Sequence, residues 1–308
     1  MKTNKLKTSK KCHEKNYSGF LKSKNAINIM YMPALILFLI FVIYPFISGL
    51  RISFTDWNGY SQKYSYIGFD NFMNLFKDKN MLIAFRNTLI YGFGSTFIQQ
   101  ILGLSYAVFL NKKFKGRTLA RTIIYLPVLI SAVIMGYIWY FIFQYNHGAL
   151  NDIMMSFGLD RLDWLADGNR AVWIIVIVNT LQFVGVSMVI YLAGLQGISK
   201  VYYEAADIDG AKKFQQFKNI TVPLLMPAIV TSVTLNLIGG LKLFDTIKAL
   251  TNGGPGYESH SISTLIDSVY FRSQSAGYAS AMGIILFIII MVISLAMQKA
   301  FNKREVEY

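Results

Sequence analysis

Six stretches of the chain stay apolar for longer than a soluble helix requires, roughly 29–50, 82–110, 119–143, 171–195, 223–246 and 279–300. An apolar run of about 18 residues or more with few charges reads as a membrane span. At about 1.5 Å rise per residue, each stretch reaches across a hydrocarbon core of about 30 Å. Lipid offers no partners to backbone N–H and C=O groups, so helices are the expected form. The alternating pattern of barrel strands is absent. The pattern therefore predicts an all-α membrane protein. Its six helices occupy 29–301, with tails at 1–28 and 302–308.

The polar positions cluster between these stretches. Residues 196–222 carry Lys200, Glu204, Asp207, Asp209, Lys212, Lys213 and Lys218. A charge at the bilayer centre costs about 2.5–3.5 kcal/mol, so seven would cost roughly 20 kcal/mol. The segment must therefore lie in water, although "VYYEAADIDGAKKFQQF" still reads as helical. Ala205, Ala206 and Ala211 are strong helix formers. Gly210 marks the end of one short helix. A second, over about 211–218, leads to Pro223, which suits the start of the fifth span. Val201, Tyr202, Ala205, Ala206 and Ile208 give the first helix an apolar face with a charged rim. That arrangement suggests a partner surface, with a plain solvated loop as the alternative.

Composition agrees with the membrane reading. The 308 residues are 54% hydrophobic and only 15% charged, against about 25% charged in soluble chains. The net charge of +14 can be used to orient the helices. With both ends on one side, that side holds 20 Lys/Arg and 6 Asp/Glu. The other side holds 10 of each. Basic residues favour the cytoplasmic side, so both termini are expected there. The basic balance thus reports topology, and no nucleic-acid partner is needed to explain it. Lys2, Lys5, Lys7, Lys10, Lys11, Lys15, Lys22 and Lys24 read as an anchor touching anionic lipid. The single cysteine, Cys12, allows neither an internal disulfide nor a Cys/His metal cluster. The first apolar run is too long for a signal-peptide core and has no convincing cleavage site after it. It is expected to be retained as a span.

The segment 51–81 is rich in aromatics. Trp57, Tyr60, Tyr64, Tyr66 and Phe69 read as interface anchors or as a stacking surface for sugar. Gly253, Gly254, Pro255 and Gly256 force a turn, and a short helix is expected around 259–272.

Candidate chemistry is sparse. No G-x-x-x-x-G-K-[S/T] loop occurs, so ATP binding of the usual kind is not expected. His13, His147 and His260 form no constellation that would suit a membrane-embedded hydrolase. Polar residues inside spans are functional candidates. Here they are Gln99 and Gln100 in the second, Asn179 and Gln182 in the fourth and Asn236 in the fifth. Each amide donates and accepts at once, which suits sugar hydroxyls. Interhelical hydrogen bonding is the competing role. Lys242 and Asp245 are three apart and would share a helix face, as a structural ion pair or as the rim of a path. Gly239 and Gly240 are expected to loosen the helix beside them.

The segment 204–223 also resembles a known family. Glu204, Ala205, Ala206, Gly210, Ile220 and Pro223 stand at the spacing of the EAA loop of binding-protein-dependent ABC importer permeases, with Val222 where leucine is common. The stretches "YIGFDNFMNLF", "GRTLARTIIYLPVLISAVIMGYIW", "LTNGGPG" and "GYASAMGIILFIII" are similar to the carbohydrate-uptake branch, maltose or multiple-sugar type, and to the first permease of each pair.

The resemblance, which covers nearly all of 29–301, implies a type I importer permease fold. It implies a second homologous permease, a cytosolic ATPase dimer and an extracellular sugar-binding protein as partners, within a bacterial plasma membrane. ATP and Mg would sit on the ATPase and no cofactor on this chain. The loop over 196–222 would be the coupling element. Glu204 would make a polar contact with the ATPase, Ala205 and Ala206 would pack in its groove, and Gly210 would set the turn beside Asp209. A glycerol phosphate or polyol cargo and an ion-coupled secondary transporter are the rival readings. The former would want Arg or Lys in the path, where Lys242 is the one candidate. The latter would want a carboxylate deep in a span, and none is present.

Overall fold

The computed structural model describes residues 24–302. The lysine tail up to position 23, including Cys12 and His13, and residues 303–308 lie outside the described residues. Helix α1 (Tyr31–Ile52) is followed by the short α2 (Asp70–Leu75) and the long α3 (Lys79–Asn111). Helices α4 (Arg117–Leu129) and α5 (Ala132–Phe143) meet at a bend of 100°. After α6 (Ala149–Ser156) comes α7 (Gly168–Gly197), then α8 (Lys200–Ile208). Helices α9 (Lys213–Leu224) and α10 (Met226–Leu241) meet at 66°. The short α11 (Asp245–Leu250), α12 (Ile262–Phe271) and the long α13 (Ala276–Asn302) complete the chain. Among the described residues the one extended pairing is a bridge between Thr55 and Tyr66.

Four helices are long and apolar enough to cross a membrane alone, and each bent pair makes a fifth and sixth. The third and fifth spans are therefore broken, unlike the continuous helices expected from hydropathy. The causes are local. Pro127 closes α4, and Ile130 and Ser131 take extended ψ values of 135° and 136°. Leu225 lies between Pro223 and Pro227, two residues without a donor N–H. Pro223 thus sits in the last turn of α9 rather than opening the span. The fifth span also stops at Leu241, short of the expected 246.

Helix α7 is the centre of the bundle. In it, 61% of the apolar window is buried inside the chain, against none for α1 and 11% for α13. Small residues let helices approach closely where hydrophobic segregation gives no drive. A Cβ on Gly103 of α3 would sit 2.5 Å from the Ser187 Cβ on α7. A Cβ on Gly240 of α10 would sit 2.8 Å from the Tyr91 carbonyl and 2.9 Å from the Gly92 Cα, at a π-helical turn of α3 over Ile90–Gly94. The glycines at 239 and 240 do not loosen α10, which stays helical through both. Gly240 instead permits the crossing.

The segment before α12 is strapped to the start of α3. Asn87 Nδ2 donates to the Glu258 and His260 carbonyls at 2.6 and 3.1 Å, and Tyr91 Oη donates to the Ser259 carbonyl at 2.8 Å. Lys248 and Asp267 pair at 2.5 Å between α11 and α12. His260 is buried, with Nδ1 2.9 Å from Thr264 Oγ1. Burial, helped by Arg272 and Lys248, lowers its pKa to about 4.

Gly240→Leu should lower stability by about 1–3 kcal/mol, the usual cost of overpacking. Gly239→Ala, where a Cβ meets nothing within 4 Å, should be neutral or stabilising by up to about 1 kcal/mol. Thermal unfolding in detergent separates the two. His260 supplies a pH test. Its folded pKa lies below the unfolded value of about 6.5, so the unfolded chain binds more protons between them. Stability should be fully present above pH 6.5 and fall towards pH 4, and His260→Gln should flatten that fall.

Candidate functional site

A cavity of about 400 Å³ opens between α3, α7 and the end of α10. Five of the seven polar residues singled out along the spans line it: Gln99, Asn179, Asn236, Lys242 and Asp245. Gln99 is 1% exposed, and its Nε2 donates to the Asn179 carbonyl at 3.1 Å. Its Oε1 has no protein partner. That oxygen is a buried, unpartnered acceptor on a residue of the cavity lining. Asn236 Nδ2 donates to Ser187 Oγ at 2.5 Å. Phe183 and Phe244 add ring faces to the wall.

The other two amides are structural. Gln100 Oε1 accepts from Tyr191 Oη and from Ser232 Oγ, the latter at 2.9 Å, tying α3, α7 and α10 together. Gln182 Nε2 donates to the Ile130 carbonyl at 3.2 Å and so satisfies the backbone of the α4–α5 break. Hydropathy did not foresee that break, so this partner of Gln182 was not legible.

Lys242 and Asp245 do not share a helix. Helix α10 ends at Leu241 and α11 begins at Asp245, with the intervening chain irregular. No ion pair joins them among the described residues, so the structural-pair reading fails and both face the cavity as exposed charges. Ser261 Oγ donates to the Leu243 carbonyl at 2.8 Å and closes this second break. Phe183, missed in the sequence, lies four residues after Asn179 and hence on the same helix face. That spacing was a usable signal. Phe244 gave none, because it depends on the break.

The second candidate surface is α8. Gly210 has φ of +75°, a left-handed conformation that glycine adopts without penalty. Gly210 N donates to the Asp207 carbonyl at 3.2 Å and Ala211 N to the Ala206 carbonyl at 2.9 Å. This pair of bonds is the Schellman end of a helix. The second loop helix spans Lys213–Leu224 rather than about 211–218, through a π-helical turn at Phe217–Thr221 that contains Ile220. Asp207 fastens α8 to α9 by accepting from Gln216 Nε2 and from Lys213 Nζ, the latter at 3.1 Å. The Gln216 amide and Lys213 hold its carboxyl below the ordinary carboxylate range. Tyr203 Oη lies 2.9 Å from Thr221 Oγ1.

The face left outward consists of Val201, Tyr202, Glu204, Ala205 and Ile208, with Ile208 88% exposed. Ala206 is buried against its own chain, so of the two alanines only Ala205 stands on the outward face. Asp209 stands exposed at the C-cap. Asp207 and Gln216 make the brace that the sequence reading assigned to no one. They lie nine positions apart across a glycine turn, and no helical spacing relates them.

Residues 99–306 match the family described as binding-protein-dependent transport system inner membrane component. The chain is 38% identical over 275 residues to the probable starch degradation products transport system permease protein of Thermoanaerobacterium thermosulfurigenes, covering 89% of this chain and 93% of that one. It is 33% identical to the trehalose/maltose transport system permease protein of Thermococcus litoralis, covering 85% and 89%. Its fold superposes with a TM-score of 0.79 and 29% identity on a chain of a bacterial ABC transporter involved in the import of the acidic polysaccharide alginate, covering 90% and 95%. This chain therefore belongs to the binding-protein-dependent inner membrane component family and has the fold of an ABC-importer permease.

Proposed function

We infer that this chain is one of two membrane subunits of an ATP-driven importer for a sugar or oligosaccharide. An extracellular binding protein delivers the sugar, and a cytosolic ATPase dimer drives release. The observation that carries the reading is the pairing of two features on one chain. One is a cavity walled by amides and aromatic rings. The other is a capped, outward-facing helix with exposed Val201, Tyr202 and Ile208. Amide groups and ring faces suit a hydroxyl-rich ligand. An exposed apolar patch with a charged rim suits a protein partner. The names of the relatives supply the substrate class: starch degradation products in one, trehalose and maltose in another. The structure with a periplasmic protein bound to alginate pentasaccharide supports delivery by a binding protein.

In this reading α8 faces the cytosol, both termini lie on that side of a bacterial plasma membrane, and the 251–261 loop faces out. The excess of basic residues on the α8 side supports that orientation. ATP and Mg belong to the partner ATPase. Alternation would need α8 to move with the ATPase as a stiff unit. The Asp207–Gln216–Lys213 brace would transmit that movement to α9, and α9 meets α10 at Leu225, below the cavity.

Glu204→Lys or Gly210→Asp should abolish sugar uptake while the chain still inserts and recruits the second permease. Normal uptake in both variants would remove α8 from the coupling role. Asn236→Ala or Gln99→Ala should change the order of preference across a panel of labelled oligosaccharides. Gln182→Leu should instead leave the preference intact and lower stability by about 1–3 kcal/mol, the cost of an orphaned carbonyl.

A further inference from the structure

We propose that Lys242 and Asp245 form a charge-balanced filter at the cavity, which selects an uncharged sugar against acidic and phosphorylated ones. The proposal rests on the sugar-importer reading above and adds the class of sugar. Three observations support it. Both side chains line the same cavity of about 400 Å³, where every other lining residue is uncharged. Both are exposed, and no ion pair holds either one among the described residues. The break between α10 and α11 keeps them apart, with Lys242 and Phe244 at φ, ψ of −102°, 19° and −131°, −62°.

Their placement explains how two unpaired charges can stand there. Lys242 is the C-cap of α10, at the negative end of the helix dipole. Asp245 is the first residue of the six-residue α11, on the far side of the break. Each charge is exposed, so water rather than its neighbour solvates it. Both stay available to the cavity, and their sum is zero. A carboxylate or phosphate on the cargo would meet Lys242 favourably and Asp245 unfavourably, and would lose its water for no net return. A neutral sugar carries no such cost and can hydrogen-bond both groups. The fold relative whose transporter imports acidic alginate makes the discrimination a meaningful one.

The test uses the intact importer, recovered with its partner subunits in lipid nanodiscs. The probes are a neutral trisaccharide and the same trisaccharide oxidised to carry one carboxylate, in glucosyl, arabinosyl and N-acetylglucosaminyl series. Equilibrium binding gives the ratio of neutral to acidic affinity. The wild type should favour the neutral form. Asp245→Asn should shift the ratio by about tenfold towards the acid, and Lys242→Gln by about tenfold away from it. The double variant Lys242→Gln/Asp245→Asn restores zero charge, and its ratio should return to the wild-type value. Neutral binding with a ratio that neither single variant moves would overturn the filter and leave the cavity as a sugar site. No binding of any probe to any of the four proteins would overturn the sugar reading itself, and the filter with it.

Discussion

A broken backbone in lipid has nothing to hydrogen-bond unless another part of the protein supplies it. This constraint shapes the region around the cavity. The α4–α5 break is closed by Gln182 of α7, and the α10–α11 break by Ser261 at the cap of α12. Without such partners each break would carry an orphaned carbonyl at a cost of about 1–3 kcal/mol. With them, the chain can turn sharply inside the bundle and present side chains that a continuous helix would point elsewhere. Lys242, Phe244 and Asp245 reach one cavity only because α10 stops at Leu241. The close Gly240–Gly92 approach lies one residue before that end.

The two candidate surfaces, α8 and the cavity, are joined by a short run of structure. Helix α8 ends in a glycine turn whose geometry forbids most side chains, and Asp207 locks the following helix to it. That helix bends into α10 between two prolines, and α10 carries Asn236 and Lys242 at the cavity. A push on α8 therefore has a stiff path to the wall that would hold the cargo. One π-helical turn, Phe217–Thr221, lies in α9, and another, Ile90–Gly94 of α3, packs against α10 at Gly240.

Much of this was legible in the sequence, and the rest was hidden for identifiable reasons. Hydropathy locates the apolar stretches because lipid demands about 20 apolar residues in a row, and it places α8 in water because seven charges cannot be buried. Gly210 as a helix end followed from its permissive backbone. The breaks were missed because a window average does not see Pro127 or the Pro223–Pro227 pair as interruptions. Missing the α4–α5 break grouped Gln182 with the cavity, and the end of α10 at Leu241, which no proline marks, is what separates Lys242 from Asp245. Ala206 was assigned outward because α8 was read alone, without the chain it packs against. Asn179, Asn236 and Gln99 were found because an amide inside an apolar helix has few reasons to be there.

The most direct test of the account is site-specific cross-linking from α8. Cys12 is the sole native cysteine, so a Cys12→Ser background carrying Ala205→Cys presents one thiol on the outward face of the helix. Membranes from the native host, treated with a short thiol-to-amine reagent and analysed by mass spectrometry, should yield this chain joined to an ATPase, with a second permease in the same complex. Recovery of the chain uncoupled to any ATPase, with the thiol reactive and the protein folded, would contradict the account and return the search to transport that needs no ATPase.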